Sequence, residues 1–479
     1  MGVMRFHVHP SSVLDGQVPQ AQMTGFDGRS FPMRVELEES DLFCTRNQSD
    51  SGRFHMLWPV DGYGPVVLST ASLRERGEPY LLPVELCRGT LVDLRNQVGA
   101  WEVAGLRVDE PFTHELTRAH QLFTKAIFTQ SNPVESAQFA WEAIGHAVKA
   151  GTLLTDTYIA QRMVFRQSRS ASLPVSLGCE TGPNVLPEGD ATRFVSVFNS
   201  AHVPIRWRDV ERSEGKYDWD TMDAIVDWCN QSRLFVIAGP LLDLSRQGMP
   251  TWLETWQHDF LNLQSFVSDF VETAVSRYVG HVRHWEIAAN ANTGGCLNLT
   301  EENCLSLAAR SLEVARQVDE EIQLSLMIGQ PFGEYMANGD HRLSPVQFVD
   351  ALARSGVGLS EAHLQVELGT TASHFSLPRH LLQFSRLMDQ WSYLGLPLSV
   401  TLSFAPGLQD DATQSGLLQR YVPLLMAKDA VVGIYWGCHR DGVGARLDGC
   451  GLVRNDGSER ETFRLLEGYR EQYWRVDAG

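Results

Sequence analysis

VPIRWRDVERSEGKYDWDTMDAIVDWCNQSRLFVIAG, residues 203–239, reads as an apolar run, a polar loop, an amphipathic stretch and a second apolar run. Val203–Trp207 and Leu234–Ala238 are the strand candidates at its two ends, and the segment between them has helical patterning. The same alternation extends both ways along the chain. Further strand candidates are Val175–Cys179, Val282–Ala288, Ile322–Ile328, Ala362–Leu368, Leu398–Phe404 and Val431–Trp436. Eight such runs with helices interposed predict a (β/α)8 TIM barrel over residues 174–479. A doubly wound sheet would want a glycine-rich phosphate turn after an early strand, and no G-x-G-x-x-G follows any of the eight.

Upstream the pattern differs. Residues 1–80 hold short alternating runs, among them Met4–Val8, Met33–Leu37 and Arg53–Trp58, separated by turn dipeptides at Asp15-Gly16, Asp27-Gly28 and Asp61-Gly62. They predict a β-sandwich accessory domain. Residues 81–173 read as a helical segment. Leu116, Ala119, Leu122, Phe123, Ala126 and Ile127 recur at helical spacing, and Asn132-Pro133 opens a third helix whose pattern contains Gly145 and Gly151. The predicted architecture is therefore multidomain: sandwich, helical segment, then barrel.

Of 479 residues, 40 are Lys or Arg and 58 are Asp or Glu, a formal net charge of −18. That balance speaks against nucleic acid and anionic membrane as partners, but not against a neutral carbohydrate. No apolar run approaches the ~20 residues of a membrane span. MGVMRFHVHPSS has no long apolar core of a secretory signal, and the eight cysteines form no C-x-x-C pair, so reduced thiols and a cytoplasmic location are expected. His363, His374 and His380 show no ligand spacing, so neither a metal nor a cofactor is expected. Cys438-His439 is a thiol–imidazole candidate only if the strand has already ended there, since neighbours on a strand face opposite sides.

In a TIM barrel, ligands meet the C-terminal ends of the strands. Four stretches there form an ordered series: RWRDVERSEGKYDWDTMDAIVDWC, PTWL, RYVGHVRHWEI, and YWGCHRDG followed by GLVRNDG and ETFRLL. Over residues 175–475 this series resembles the family 10 glycoside hydrolases, the xylanase family. The resemblance implies a retaining mechanism, which needs two carboxyls about 5–5.5 Å apart. Aligned on Trp285-Glu286-Ile287, the acid/base position falls on Asn290, and aligned on Thr401 the nucleophile position falls on Leu402. An amide has no proton to give near neutral pH, and an alkyl side chain cannot attack a sugar carbon. The supporting shell differs too: Gly239-Pro240 stands for the family's Gly-His, and His202, Val203 and Pro204 stand for its Glu-Asn-Glu.

This pattern implies a degenerate barrel that binds carbohydrate or a protein partner without cleaving a glycosidic bond. Trp207, Trp252, Trp285 and Trp436 stand where the family has tryptophans, with Trp207 and Trp285 reading more readily as core fillers and Trp436 as the candidate floor of a cleft. Arg206, Asn290, Asn292, Gln365 and His439 are candidate hydrogen-bonding groups at the mouth. Glu286 reads as a buried barrel residue paired with a base such as Arg206. Two alternatives remain open at this point. One is an active O-glycosyl hydrolase with relocated carboxylates Asp243 and Glu367; the other is a structural protein that self-assembles into a homo-oligomer.

Overall fold

The computed structural model describes all residues except 1, 15–19, 26–27, 171, 339–340, 372–374, 406–407, 409, 443–448 and 475–479, and the side chain of 338. Asp15-Gly16, Asp27 and His374 lie outside the described residues. The chain forms two compact units. One comprises Met1–Arg166 with two later stretches, Phe332–Asp340 and Gly369–Gln390; the other takes Gln167–Pro331, His341–Leu368 and Trp391–Gly479.

In the first unit, two sheets share one core. The four-stranded sheet runs Met33–Glu38, Asp41–Arg46, Gly2–His7, Tyr80–Leu81, and the three-stranded sheet runs Gln22–Thr24, Arg53–Val60, Gly64–Ser69. Alternation along Asp41–Arg46 buries Leu42, Cys44 and Arg46 and turns the residues between them outward. Phe6 of one sheet stacks on Phe54 of the other at 4.6 Å. Asp61-Gly62 makes the turn between Arg53–Val60 and Gly64–Ser69, with Gly62 at φ +76° and Gly64 at φ +74°. Three helices follow, Leu82–Val103, Glu110–Phe128 and Pro133–Arg169. The third starts at the Asn132-Pro133 signal and runs 37 residues through both glycines. At Gly151 an added Cβ would lie 3.5 Å from Leu382, so a neighbouring helix packs close there.

The second unit is a closed barrel of eight parallel strands, numbered here one to eight: Ser176–Glu180, Ser200–Val203, Phe235–Ala238, His284–Ala289, Gln323–Gly329, Glu361–Leu368, Leu398–Phe404 and Val431–Trp436. Pairing of Ile237 with His284 closes the ring. Strand two corrects the sequence reading. Its ladder covers Ser200–Val203 and not Val203–Trp207, because Pro204 has no N–H to continue it, and Trp207–Val210 is already helical. Strand three resumes at Leu242–Asp243 after a break at Gly239-Pro240. Gly239 has φ +129°, and a Cβ on it would lie 2.1 Å from the Glu286 carbonyl oxygen, so only glycine fits.

The barrel interior is packed. The Tyr435 ring occupies the space left by two glycines: an added Cβ would lie 2.3 Å from it at Gly178 and 2.7 Å from it at Gly433. Its hydroxyl hydrogen-bonds Ser200 Oγ at 2.8 Å. No helix among the described residues is long and apolar enough to cross a membrane.

Candidate functional site

Side chains alternate along each strand, so the inward positions can be followed up to the mouth. On strand six they are His363, Gln365 and Glu367, and on strand seven Thr401 and Ser403. Gln365, Glu367, Thr401 and Ser403, with Glu180 of strand one and Met327 of strand five, line a cavity with about 10 Å³ of room. That volume holds roughly one water molecule.

Directly beneath lies a charged cluster. Glu286 of strand four is fully buried. Its Oε1 lies 3.2 Å from His202 Nε2 and its Oε2 lies 2.6 Å from His363 Nδ1. The second contact is close but off the line of a hydrogen bond, so neither Glu286 Oε2 nor His363 Nδ1 has an aligned partner. The outer nitrogens turn toward cavity-lining residues. His363 Nε2 is 2.7 Å from Thr401 Oγ1, and His202 Nδ1 is 3.9 Å from Glu180 Oε2. Burial pushes the Glu286 carboxyl up, but the His202 and His363 charges beside it, with the His202 hydrogen bond, outweigh burial and hold the group well below the usual range. Burial, reinforced by His363, pushes nearby His284 down to about 4, and burial raises the Glu361 carboxyl. The expected Glu286–Arg206 pair is thus replaced by two histidines.

The other sequence candidates occupy varied positions. Asn290 is half-buried at φ +58° and donates from Nδ2 to Asp243 Oδ1 at 2.9 Å. Asp243 also accepts from the Ser245 backbone N–H and hydroxyl at 3.0 and 2.9 Å, and it is not among the residues lining the mouth cavity. Glu367 does line it and accepts from Gln365 Nε2 at 3.4 Å. The two carboxylates therefore do not share that cavity. Leu402 is buried on the opposite phase of strand seven from Thr401 and Ser403, so it points away from the mouth. Its inward neighbours on either side are Thr401 and Ser403.

Of the four tryptophans, Trp207, Trp285 and Trp436 are buried. Trp207 stacks on Phe270 at 4.6 Å and donates from Nε1 to Glu211 Oε2, while Trp436 donates to the Cys450 carbonyl. Trp252 is half-buried, edge-on to Trp207 at 6.1 Å, and its Nε1 donates to the Glu211 carbonyl. Arg206 is half-buried just before the helix of Trp207. Asn292 is buried and spends its amide on Gly329, donating to its carbonyl at 2.8 Å and accepting from its N–H at 3.2 Å. Cys438 lies against Cys450 and donates to the Arg440 carbonyl.

His439 is buried, edge-on to Phe194, with neither ring nitrogen partnered among the described residues. Burial pushes its pKa down to about 4. Above pH ~6.5 the ring is neutral in both the folded and unfolded chain. As pH falls toward 4, the unfolded chain takes up a proton that the folded one refuses. Stability is therefore lost across that window, by up to roughly 3 kcal/mol from this residue. Urea unfolding at a series of pH values should show His439→Leu losing stability with about one proton's less slope between pH ~6.5 and ~4. An unchanged slope would show that the ring is already protonated in the fold.

The family model of glycosyl hydrolase family 10 matches residues 196–401. The barrel resembles that family. Among solved structures, native xylanase 10B from Thermotoga maritima superposes with a TM-score of 0.51 at 14% identity, over 64% of this chain and 98% of that one. Xylanase 10B from Thermotoga petrophila RKU-1, solved with xylobiose, gives 0.50 at 15% identity, over 63% and 95%. A family 10 protein from Paenibacillus barcinonensis gives 0.50 at 15%, over 64% and 97%. At such identities the likeness is one of fold, and function has to be argued from the site. The family 10 resemblance gave the sequence reading its strand-end candidates. It gave no sign of the His202–Glu286–His363 cluster, whose members come from three strands with no short spacing between them.

Proposed function

We propose that this protein is a non-hydrolytic barrel of the family 10 kind that binds a carbohydrate chain at its rim. The observation that carries this reading is the mouth itself. Among the described residues, the cavity lined by Gln365, Glu367, Thr401 and Ser403 has about 10 Å³ of room, against the ~300–1,000 Å³ of an ordinary ligand pocket. The inward residues toward the end of strand seven are Thr401 and Ser403, and Asn290 follows the end of strand four, so none of these offers the nucleophile or the acid that two-carboxylate chemistry requires. For ligand contact, the rim offers the half-buried Trp252 and Arg206. The xylobiose complex of the Thermotoga petrophila relative supports a xylo-oligosaccharide as the first ligand to try.

The test pairs turnover with binding. Xylan and aryl β-xylosides incubated with the protein should be hydrolysed no faster than in buffer, while calorimetry with xylohexaose should give a binding heat that Trp252→Ala abolishes. Hydrolysis lost on Asp243→Asn or Glu367→Gln would overturn the reading in favour of relocated carboxylates.

A further inference from the structure

We propose that His202, Glu286 and His363 form a binding site for one divalent transition-metal ion of the zinc class inside the barrel, beneath its mouth. This stands whether or not the barrel contacts carbohydrate.

The donors converge from strands two, four and six, and one ligand atom from each lies within 4.8 Å of the others. All three residues are buried, so the cluster is not an exposed accumulation of charge. Two imidazoles and a carboxylate are a set that suits zinc and its neighbours in the first transition row, whereas calcium and magnesium prefer oxygen ligands throughout. The 3.2 Å between His202 Nε2 and Glu286 Oε1 is the separation of two donors each ~2.0–2.2 Å from a tetrahedral ion. The 2.6 Å contact of His363 Nδ1 with Glu286 Oε2 would widen by roughly half an ångström or more to admit one. Those two atoms are also the ones left without an aligned hydrogen bond in a fully enclosed site.

The surroundings support the assignment independently. A metal-bound imidazole characteristically has its second nitrogen held by an oxygen group, which fixes the tautomer. His363 Nε2 is held by Thr401 Oγ1 at 2.7 Å, and His202 Nδ1 faces the Glu180 carboxylate at 3.9 Å. Each ring thereby turns its other nitrogen toward Glu286. A dication with neutral imidazoles would be offset by the carboxylates of Glu286 and Glu180 beside it. Thr401 and Glu180 thus act on the outer nitrogens of the two rings, and they line the cavity above. The competing arrangement is a metal-free ion pair between Glu286 and protonated histidines.

The experiment uses the full chain, stripped with a chelator and dialysed against Zn2+, with metal content read by elemental analysis and affinity by competition with a chromophoric chelator. One Zn2+ per chain is expected, with a rise in the thermal midpoint, and Co2+ in its place should give the intense visible bands of a four-coordinate site. The double variant His202→Gln/His363→Gln should lose at least ~100-fold in affinity. Should that variant fail to fold, Glu180→Gln leaves the three ligands intact and should weaken binding ~10–100-fold. A chain that retains no Zn2+, or one whose Zn2+ affinity is unchanged in these variants, would overturn the proposal and leave the ion pair as the explanation.

Discussion

Placing carboxylates at both positions, Asn290→Glu with Thr401→Glu, is expected to leave xylan hydrolysis at the rate of the parent chain. Glycosidase chemistry accelerates hydrolysis by at least ~10⁶-fold, so a site lacking only its two carboxyls should regain orders of magnitude when they return. Three features of the mouth oppose this. Among the described residues, the cavity beside Thr401 has about 10 Å³ of room, too little for the sugar ring that must lie between acid and nucleophile. Thr401 Oγ1 is already bonded to His363, and a glutamate there would add a second negative charge near Glu286. At residue 290, a carboxylate would replace an amide that now donates to Asp243, turning a hydrogen bond into like-charge contact. Circular dichroism should establish that the variant folds, and Asn290→Glu alone provides a milder control. Turnover about 100-fold or more above the parent rate would show that the mouth opens in solution, and it would sink the non-hydrolytic reading.

The limits of the sequence reading follow from the same geometry. Strands seven and eight were legible to the residue, Leu398–Phe404 and Val431–Trp436, because parallel barrel strands are continuous apolar runs bounded by turn residues. Strand two was misplaced because Val203–Trp207 is just as apolar as a strand, yet Pro204 ends the ladder. The facing of strand seven was not legible for a related reason. A motif alignment orders residues along the chain but does not fix which of two neighbours faces inward, and here Thr401 and Ser403 do while Leu402 does not. The burial of Trp207 and Trp285 as core residues was legible, but that of Trp436 was not, since its Nε1 bonds the carbonyl of Cys450 beyond its own strand. The histidine–glutamate cluster had no sequence signal at all. His202 and Glu286 are 84 residues apart, and they meet only because the closed barrel brings their strands to face one interior.

Glu334→Leu is expected to lower the stability of the first unit by about 3–5 kcal/mol. Glu334 is fully buried on the stretch Phe332–Asp340, and Arg379, also buried, belongs to the stretch Gly369–Gln390. Glu334 Oε1 accepts from Arg379 Nη1 at 2.6 Å and from the Leu377 N–H at 3.1 Å. The guanidinium lies 4.5 Å over the Phe332 ring and donates to the Leu377 carbonyl at 2.9 Å. Removing the carboxylate therefore takes a charge-assisted bond from a buried guanidinium, and desolvation dominates the cost. The same reasoning predicts that the cost is not additive. Glu334→Leu/Arg379→Met removes both charges, fills a similar volume, and should recover most of the loss, giving a coupling of about 2 kcal/mol or more in a double-mutant cycle. Urea unfolding of the four proteins measures this directly. A single substitution costing under about 1 kcal/mol would mean that water reaches the guanidinium and screens it. A double variant as unstable as the sum of its parts would mean that packing, and not charge, holds these two stretches to each other.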